Sequence, residues 1–318
     1  MKTLKFRNND TMPIIGLGTW KSEKGAVYQA VRDAIDIGYR HIDCAAIYFN
    51  ESEIGQALAD AFKAGDVKRE EMWITSKLWC NSHGTEYVKP ALEKTLKDLQ
   101  LEYLDLYLIH WPVVFKNHVV FPEKADDLIC LTEVPISLTW TAMEACVKEG
   151  LTRHIGVSNF SIKKLTDLIK SSKIRPEMNQ VEMHPFLQQD AMLKFCKKNN
   201  IHLTAYSPLG SGDRDSSVKR EDEPILIGNP AIMEIAFNHQ CTPAQVLIAW
   251  AVKRNTAVIP KSTNKGRIKE NFEAQYISLT HEEMEQIARL NLNFRYIDGS
   301  FFALDGGTYT LENLWDES

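Results

Sequence analysis

Four side chains have types and settings that suit proton transfer: Asp43, Tyr48, Lys77 and His110. Asp43, Lys77 and His110 each stand at the end of a short apolar run, in GYRHIDCAAIY (38–48), MWITSKL (72–78) and LDLYLIH (104–110), where a core side chain would normally stop. Tyr48 lies just beyond the first of these. A phenol with an ordinary pKa of about 10 is a poor proton donor at neutral pH. Beside a lysine ammonium that is itself held by a carboxylate, it becomes a usable one. The set therefore suits proton donation to a carbonyl oxygen. Tyr48 would be the acid, Lys77 would stabilise its developing phenolate, Asp43 would hold Lys77, and His110 would orient the carbonyl. The set includes no activated serine or cysteine nucleophile and no carboxylate pair arranged for glycosidic cleavage. Each residue alone reads equally as a polar strand end meeting solvent. Lys77 could also serve an aldolase as a Schiff-base amine. Proton donation by itself reduces nothing, so a hydride must come from a cofactor.

The familiar dinucleotide motif fails. Gly16-Leu17-Gly18 begins like G-x-G-x-x-G, but position 21 is Lys, so the segment reads as a turn after the first strand. A better phosphate candidate is Ile259-Pro260-Lys261-Ser262-Thr263-Asn264-Lys265-Gly266-Arg267, which joins a late strand to a helix start. Ser, Thr and Asn are cap residues, and a helix N-terminus after a late barrel strand is a common phosphate site. Lys261 and Arg267 could grip a phosphate carried on a ribose. The competing reading is a capped helix with a solvated basic turn.

Positioning such residues requires a strand–helix alternation, and the chain has one. Helix-like stretches at 25–36, 51–64, 87–99, 138–149, 161–171, 189–199 and 243–254 lead to strand-like stretches at 41–45, 72–78, 104–110, 154–159, 178–183, 202–207 and 256–260. With 14–16 as the first strand, that makes eight βα units, and 264–272 is the closing helix. The expectation is an α/β fold, a (β/α)8 barrel, with chemistry at the C-terminal ends of the strands. Turn-forming residues 8–10, between 2–7 and 11–15, predict an N-terminal β-hairpin. Residues 230–239 and 280–292 read as two extra helices, the second opened by a Thr280/Glu283 capping box. The segment 112–137 shows no periodicity, 210–224 is polar and charged, and the tail from Asn293 is rich in aromatics and glycine. Long loops of this kind are usually lids or specificity elements. No Pro/Gly/Ser-rich linker divides residues 1–318, so a single domain is expected.

The 318 residues are 44% hydrophobic and 25% charged, with a net charge of −5 and both signs interspersed, as in a soluble globular chain. No basic run suggests a nucleic acid and no lysine-rich amphipathic face a membrane. The first residues lack the apolar core of a secretory signal, and no apolar run reaches the ~18 residues of a span. The six cysteines are scattered without metal-ligand spacing, which fits reduced thiols in a cytoplasmic protein with no structural metal.

Taken together, IGLGTW (15–20), GYRHIDCAAIY (38–48), SKLW (76–79), IHWP (109–112), GVSNF (156–160), NQVEMHP (179–185), AYSPLGSGDR (205–214) and IPKS (259–262) resemble the aldo-keto reductases, and within them the aldose/aldehyde reductase group. The resemblance spans essentially the whole chain. It implies an NADPH-dependent oxidoreductase, with NADH a weaker alternative. Such an enzyme reduces aldehydes or ketones, aldoses among the candidates, by hydride transfer from nicotinamide C4. Tyr48 would be the general acid of a tetrad with Asp43, Lys77 and His110. Thr19, Trp20 and Asp43 would lie along the cofactor. Ser158, Asn159 and Gln180 would hold the nicotinamide carboxamide, and Tyr206 would stack on its ring. Ser207, Leu209 and Ser211 would line the pyrophosphate. Lys261, Ser262, Thr263 and Arg267 would take the 2′-phosphate, with Glu270 and Asn271 near the adenine. Asp213 would reach across to Lys21 and Lys261 as a clasp. Trp20, Trp79, His110, Trp111 and Phe121, with Phe115 in the same loop, match the substrate pocket. The tail 296–318 has no arginine or lysine, which argues against a preference for acidic sugars. A monomer acting on a small carbonyl compound is implied. The alternative is a cofactor-binding structural or regulatory protein of the same fold with little turnover.

Overall fold

The computed structural model describes residues 2–214, 219–220 and 222–316. Its centre is an eight-stranded parallel sheet: β3 (Leu17–Gly18), β4 (His41–Asp43), β5 (Trp73–Leu78), β6 (Leu104–Ile109), β9 (Thr152–Ser158), β10 (Met178–Glu182), β11 (His202–Tyr206) and β12 (Ala257–Val258), neighbouring one another in that order. The sheet closes into a barrel through parallel bridges Ile15↔Val258 and Gly18↔Lys261. Hydrogen bonds Val258 N→Ile14 O at 2.8 Å and Gly16 N→Val258 O at 2.9 Å complete the seam. At Gly18 a Cβ would sit 2.6 Å from the Ile259 carbonyl oxygen, so the seam requires glycine there. The longer strands β5 and β6 are buried at every position, as expected when side chains fill the barrel on one face and helices cover the other.

Helices α1 (Ala26–Ile37), α2 (Glu51–Ala64), α3 (Thr85–Leu99), α4 (Ile136–Lys148), α5 (Ile162–Ser171), α6 (Asp190–Lys198), α8 (Pro243–Lys253) and α9 (Lys265–Glu273) follow the strands, while α7 (Pro230–Asn238) and α10 (His281–Ala288) are the two extra helices. Their starts are set locally. Ser161, Asn229 and Asn264 cap with their side chains, and Thr242 and Thr280 form capping boxes with Gln245 and Glu283. The N-terminal hairpin of β1 (Thr3–Lys5) and β2 (Thr11–Pro13) seals the barrel floor. There Phe6 packs on Trp73, His154 and His202 at ring separations of 4.8, 4.7 and 4.9 Å.

Three expectations need correction. The first strand is Leu17–Gly18 rather than 14–16, with Ile15 joining the sheet only by an isolated bridge. Closure of the barrel, not local periodicity, decides where that strand pairs. Segment 112–137 is not structureless. It carries an antiparallel ribbon of β7 (Val114–Phe115) and β8 (Leu128–Ile129), too short for a periodic signal. The tail ends in a helix, α11 (Leu311–Trp315), opened by a capping box of Thr310 with Asn313. Of segment 210–224, positions 215–218 and 221 lie outside the described residues.

Candidate active site

The polar strand ends meet in the barrel mouth. Asp43 closes β4, Lys77 stands near the end of β5, and Tyr48 sits on a 3-10 turn (Ala46–Tyr48) just past β4. The Lys77 ammonium is fully buried and donates to Asp43 Oδ1 at 2.5 Å, to the Cys44 carbonyl at 2.9 Å and to Tyr48 Oη at 3.3 Å. Its three N–H groups are thereby all engaged. Burial alone would push this ammonium down, but Asp43 and Tyr48 more than offset it and raise its pKa. A lysine held charged with no free donor is a poor Schiff-base nucleophile, which speaks against the aldolase use of Lys77.

The sequence led us to expect a Tyr48 phenol acidified by the ammonium. Instead burial dominates, and the phenol is pushed up to about 12 despite the pull of Lys77. Tyr48 therefore keeps its proton at neutral pH. Its oxygen accepts from Lys77, so its own O–H is available to another acceptor.

Asp43 is fixed from three sides. Besides Lys77, it receives the Gln180 amide N–H at Oδ2 (2.7 Å), and its main-chain carbonyl accepts from Thr19 Oγ1 (2.7 Å). From Gln180 the hydrogen bonds run on. Ser158 Oγ donates to the Gln180 carbonyl (2.8 Å), and Asn159 Nδ2 donates to Ser158 Oγ (3.1 Å) and to the His110 carbonyl (2.9 Å). Tyr206 Oη donates to Asn159 Oδ1 (2.8 Å). One continuous network thus ties Tyr48, Lys77 and Asp43 to Gln180, Ser158, Asn159 and Tyr206. Asn159 holds a left-handed φ of 63°, a conformation asparagine tolerates better than most residues. His110 follows β6, with its ring edge-on to Trp79 at 5.2 Å and to Tyr48 at 5.8 Å. Burial, reinforced by the Lys77 charge, lowers its pKa well below the usual histidine range, so it is neutral.

At the strand β12 end, Lys261 and Ser262 precede α9. Asn264 is the N-cap, accepting from the Arg267 N–H at 3.1 Å, while Ser262 Oγ accepts from the Asn264 N–H at 3.1 Å. Thr263, Arg267 and Glu270 are exposed and Asn271 is buried. Arg267 makes no ion pair among the described residues. Across the mouth Asp213 accepts from Lys21 at 2.8 Å and lies 3.6 Å from Lys261. Burial opposes both charges of this clasp. It lowers the Lys21 pKa, whereas the lysines outweigh it at Asp213 and pull that carboxyl below its ordinary value. Ser207 and Ser211 both take left-handed φ values of 48°, bending the backbone on either side of the half-buried Leu209.

The aromatic residues form a wall. Trp79 and Trp111 are buried, Trp20 is 38% exposed and Phe121 is 58% exposed. Phe115 is fully buried behind them, a packing residue of this wall rather than a surface facing the mouth. The tail supplies Phe301, Phe302 and Trp315, whose rings lie 5.8, 5.2 and 5.8 Å from Trp111.

Several residues that organise the site escaped the sequence reading. Asp316 accepts from Ser161 Oγ and Lys164 Nζ, both at 2.5 Å, and so latches the tail to the start of α5. Arg214 bonds the Tyr296 carbonyl at 2.6 Å and pairs with Glu223, anchoring the clasp loop. Glu182 takes the Tyr296 and Ile297 N–H groups at 2.6 and 2.8 Å. The charge of Glu182 inside an apolar strand was a usable signal, but Asp316 had none. Among the described residues no cluster of His, Cys, Asp and Glu could hold a metal ion.

Comparison with known proteins places this geometry. The Aldo/keto reductase family model matches residues 14–292. The chain is 54% identical over 317 residues to the aldo/keto reductase slr0942 of Synechocystis sp., covering 100% of this chain and 97% of that protein. It is 48% identical over 288 residues to aldo-keto reductase family 1 member A1 of Homo sapiens, covering 90% of this chain and 88% of the other. Among solved structures, the aldose reductase from Schistosoma japonicum superposes with a TM-score of 0.87 at 40% identity, covering 97% of each chain.

Proposed function

This chain belongs to the aldo/keto reductase family, and on that premise we propose that it reduces aldehydes and ketones, aldoses among them, to alcohols with NADPH as hydride donor. The observation that carries the reading is the buried Asp43–Lys77–Tyr48 set, in which a protonated phenol accepts a hydrogen bond from a fully engaged ammonium.

The residues present suit a 2′-phosphorylated dinucleotide. Lys261 and Arg267 bring two cations to the N-terminus of α9, where the helix dipole also favours an anion. Ser158, Asn159 and Gln180 would hold the carboxamide, Tyr206 would stack on the ring, and Asp213 with Lys21 would close over the pyrophosphate. NADPH, when bound, supplies the hydride. Tyr48 directs its proton at the carbonyl oxygen and transfers it as negative charge develops there. Lys77 stabilises the resulting phenolate, and Asp43, braced by Gln180 and Thr19, keeps Lys77 charged and in place. His110 donates from Nε2 to the same carbonyl oxygen and sets its direction. The aromatic wall excludes water and holds the apolar part of the substrate.

The working unit in this reading is a monomer acting on a small carbonyl compound. No described helix is long and apolar enough to cross a membrane.

The test is loss of NADPH absorbance with a panel of aromatic and short aliphatic aldehydes, compared with NADH. Turnover should vanish to within about 0.1% of wild type in Tyr48→Phe, a loss of the size expected for a general acid. Wild-type turnover in that variant would overturn the assignment of the acid.

A further inference from the structure

The barrel floor, at the end opposite the mouth, carries a depression of about 490 Å³ that the proposed reaction does not use. Arg7 beside the N-terminal hairpin, Arg153 of β9, and Lys173 and Arg175 of the loop between α5 and β10 bring four cations to its lining. Among the described residues that line it, Glu177 is the single carboxylate. On a chain of net charge −5 this is a local concentration of positive charge, gathered from positions as many as 168 residues apart.

The two arginines are held from beneath. Glu177 Oε1 accepts from the Arg7 main-chain N–H and from its Nε, both at 3.3 Å, and a further Arg7 N–H reaches the Arg175 carbonyl. Arg153 lies 2.6 Å from Asp10 Oδ2 and 3.6 Å from Asp105, a carboxylate it shares with Arg69. The buried His154 ring braces two of these acids, Glu177 at 2.7 Å and Asp10 at 3.0 Å. The Arg7 and Arg153 side chains remain 42% and 41% exposed, so each guanidinium keeps part of its five-donor fork toward solvent. The loop bearing the other two cations is fixed as well, because Glu144 behind it accepts from the Lys173 and Ile174 N–H groups at 2.6 and 2.8 Å. Lys173 and Arg175 themselves are exposed, and neither makes an ion pair among the described residues.

A single carboxylate ligand is satisfied by one guanidinium. Donors that converge on a depression from three segments suit a group with more than one charge that accepts from several directions, as a phosphoryl oxyanion does. The lining histidine is already stacked on Trp73, with ring centroids 5.3 Å apart, and gives a base no free face. We propose that the barrel floor is a binding site for a diphosphate or longer phosphoryl anion, held by Lys173 and Arg175 with the outward N–H groups of Arg7 and Arg153. Seated there, the anion ties the N-terminal hairpin to the α5–β10 loop and stabilises the folded chain by mass action. The site lies at the far end of the barrel from Tyr48 and does not rest on the reductase reading.

The experiment is isothermal titration of pyrophosphate into the full chain saturated with NADP+, at low ionic strength. One pyrophosphate should bind per chain, more weakly as salt is added, and the thermal midpoint should rise with its concentration. Lys173→Ala/Arg175→Ala removes two exposed side chains without ion pairs, so the variant should fold and bind roughly 10–100-fold more weakly. Lys116→Ala/Lys124→Ala, which removes two exposed cations from the mouth side, should bind as wild type does. ADP titrated beside pyrophosphate separates a nucleoside-borne diphosphate, bound as tightly, from the free anion, bound more tightly; either result upholds the site. Absence of binding, or an equal loss in both double variants, would overturn the proposal. So would equally tight binding of a polyglutamate peptide, since the floor would then read charge rather than phosphoryl groups. If the chain bound no NADP+, the reductase reading would fail, while the two double variants would still decide the floor site.

Discussion

The two sides of the barrel mouth are built in opposite ways. The Asp43–Lys77–Tyr48 side is polar, buried and saturated with short hydrogen bonds that begin on adjacent strands β4 and β5 and run across to β9 and β10. The facing side is aromatic, partly exposed, and hung on loops. Trp20, Trp111, Phe121, Phe301 and Trp315 come from four different segments outside the strands, and a latch at Asp316 holds the last of them. Strands cannot shift singly without breaking the sheet, so Asp43 and Lys77 are placed there, with Tyr48 on a 3-10 turn directly beyond β4. Loops can change length and sequence without disturbing the barrel, so surfaces that select a substrate are placed on them. The difference separates what is done from what it is done to.

The largest predicted effect is Lys77→Met. It removes the partner of both Asp43 and Tyr48 and leaves Asp43 buried with an uncompensated charge. Turnover should fall by about 10²–10⁴ and stability by about 3–5 kcal/mol, read by NADPH oxidation and urea denaturation. Normal turnover would show that the polar side is not the seat of proton transfer. Next, Arg267→Ala should weaken NADPH binding roughly 10–100-fold and NADH binding hardly at all. Fluorescence quenching by the two cofactors measures this, and equal losses would sink the assignment of the 2′-phosphate.

Glu51 probes the buried polar side by pH. Burial pushes its carboxyl up to about 7 even though Ser76 Oγ donates to it at 2.5 Å and Thr95 Oγ1 at 3.0 Å. Between about pH 4.5 and 7 the folded state therefore holds a proton that the unfolded chain has lost. The stability this contributes is complete below that window and declines as pH rises through it. Glu51→Gln should flatten the decline and stabilise the protein at pH 8 by about 1–3 kcal/mol. Denaturation at pH 5 and pH 8 tests it, and an unaltered slope would assign the titration to another group.

The smallest effect belongs to the aromatic side. Asp316→Ala unlatches the tail from Ser161 and Lys164, so KM for a bulky aromatic aldehyde should rise roughly three-fold, with kcat for a small aliphatic aldehyde unchanged. A matching loss for both aldehydes would mean that the latch serves the polar side as well, and the contrast drawn here would have to be redrawn.

Much of the polar side could be read in the sequence. A charged or phenolic residue ending an apolar run is a local anomaly, and Asp43, Tyr48, Lys77 and His110 all carry it. The alternation of helices and strands was equally local, because apolar periodicity and cap residues such as Ser161, Thr242, Asn264 and Thr280 act within a few positions. Other features depended on residues far apart in the chain. The closing strand, Leu17–Gly18, is two residues long and meets its partner across the seam, Lys261, more than 240 positions away. Gln180 reaching Asp43 across 137 residues and Asp316 finding Ser161 across 155 leave no periodicity behind them.

The pKa of Tyr48 shows the limit most clearly. Composition and spacing indicate a lysine nearby, which acidifies a phenol, but the extent of burial, which does the reverse, exists only once the barrel has closed. The sequence by itself determined which elements form and which polar residues end the strands, since both depend on neighbours along the chain. Only the tertiary structure decided which of those residues touch and what holds the substrate wall. It also set how strongly each charge is felt, since desolvation and long-range contact belong to the packed molecule.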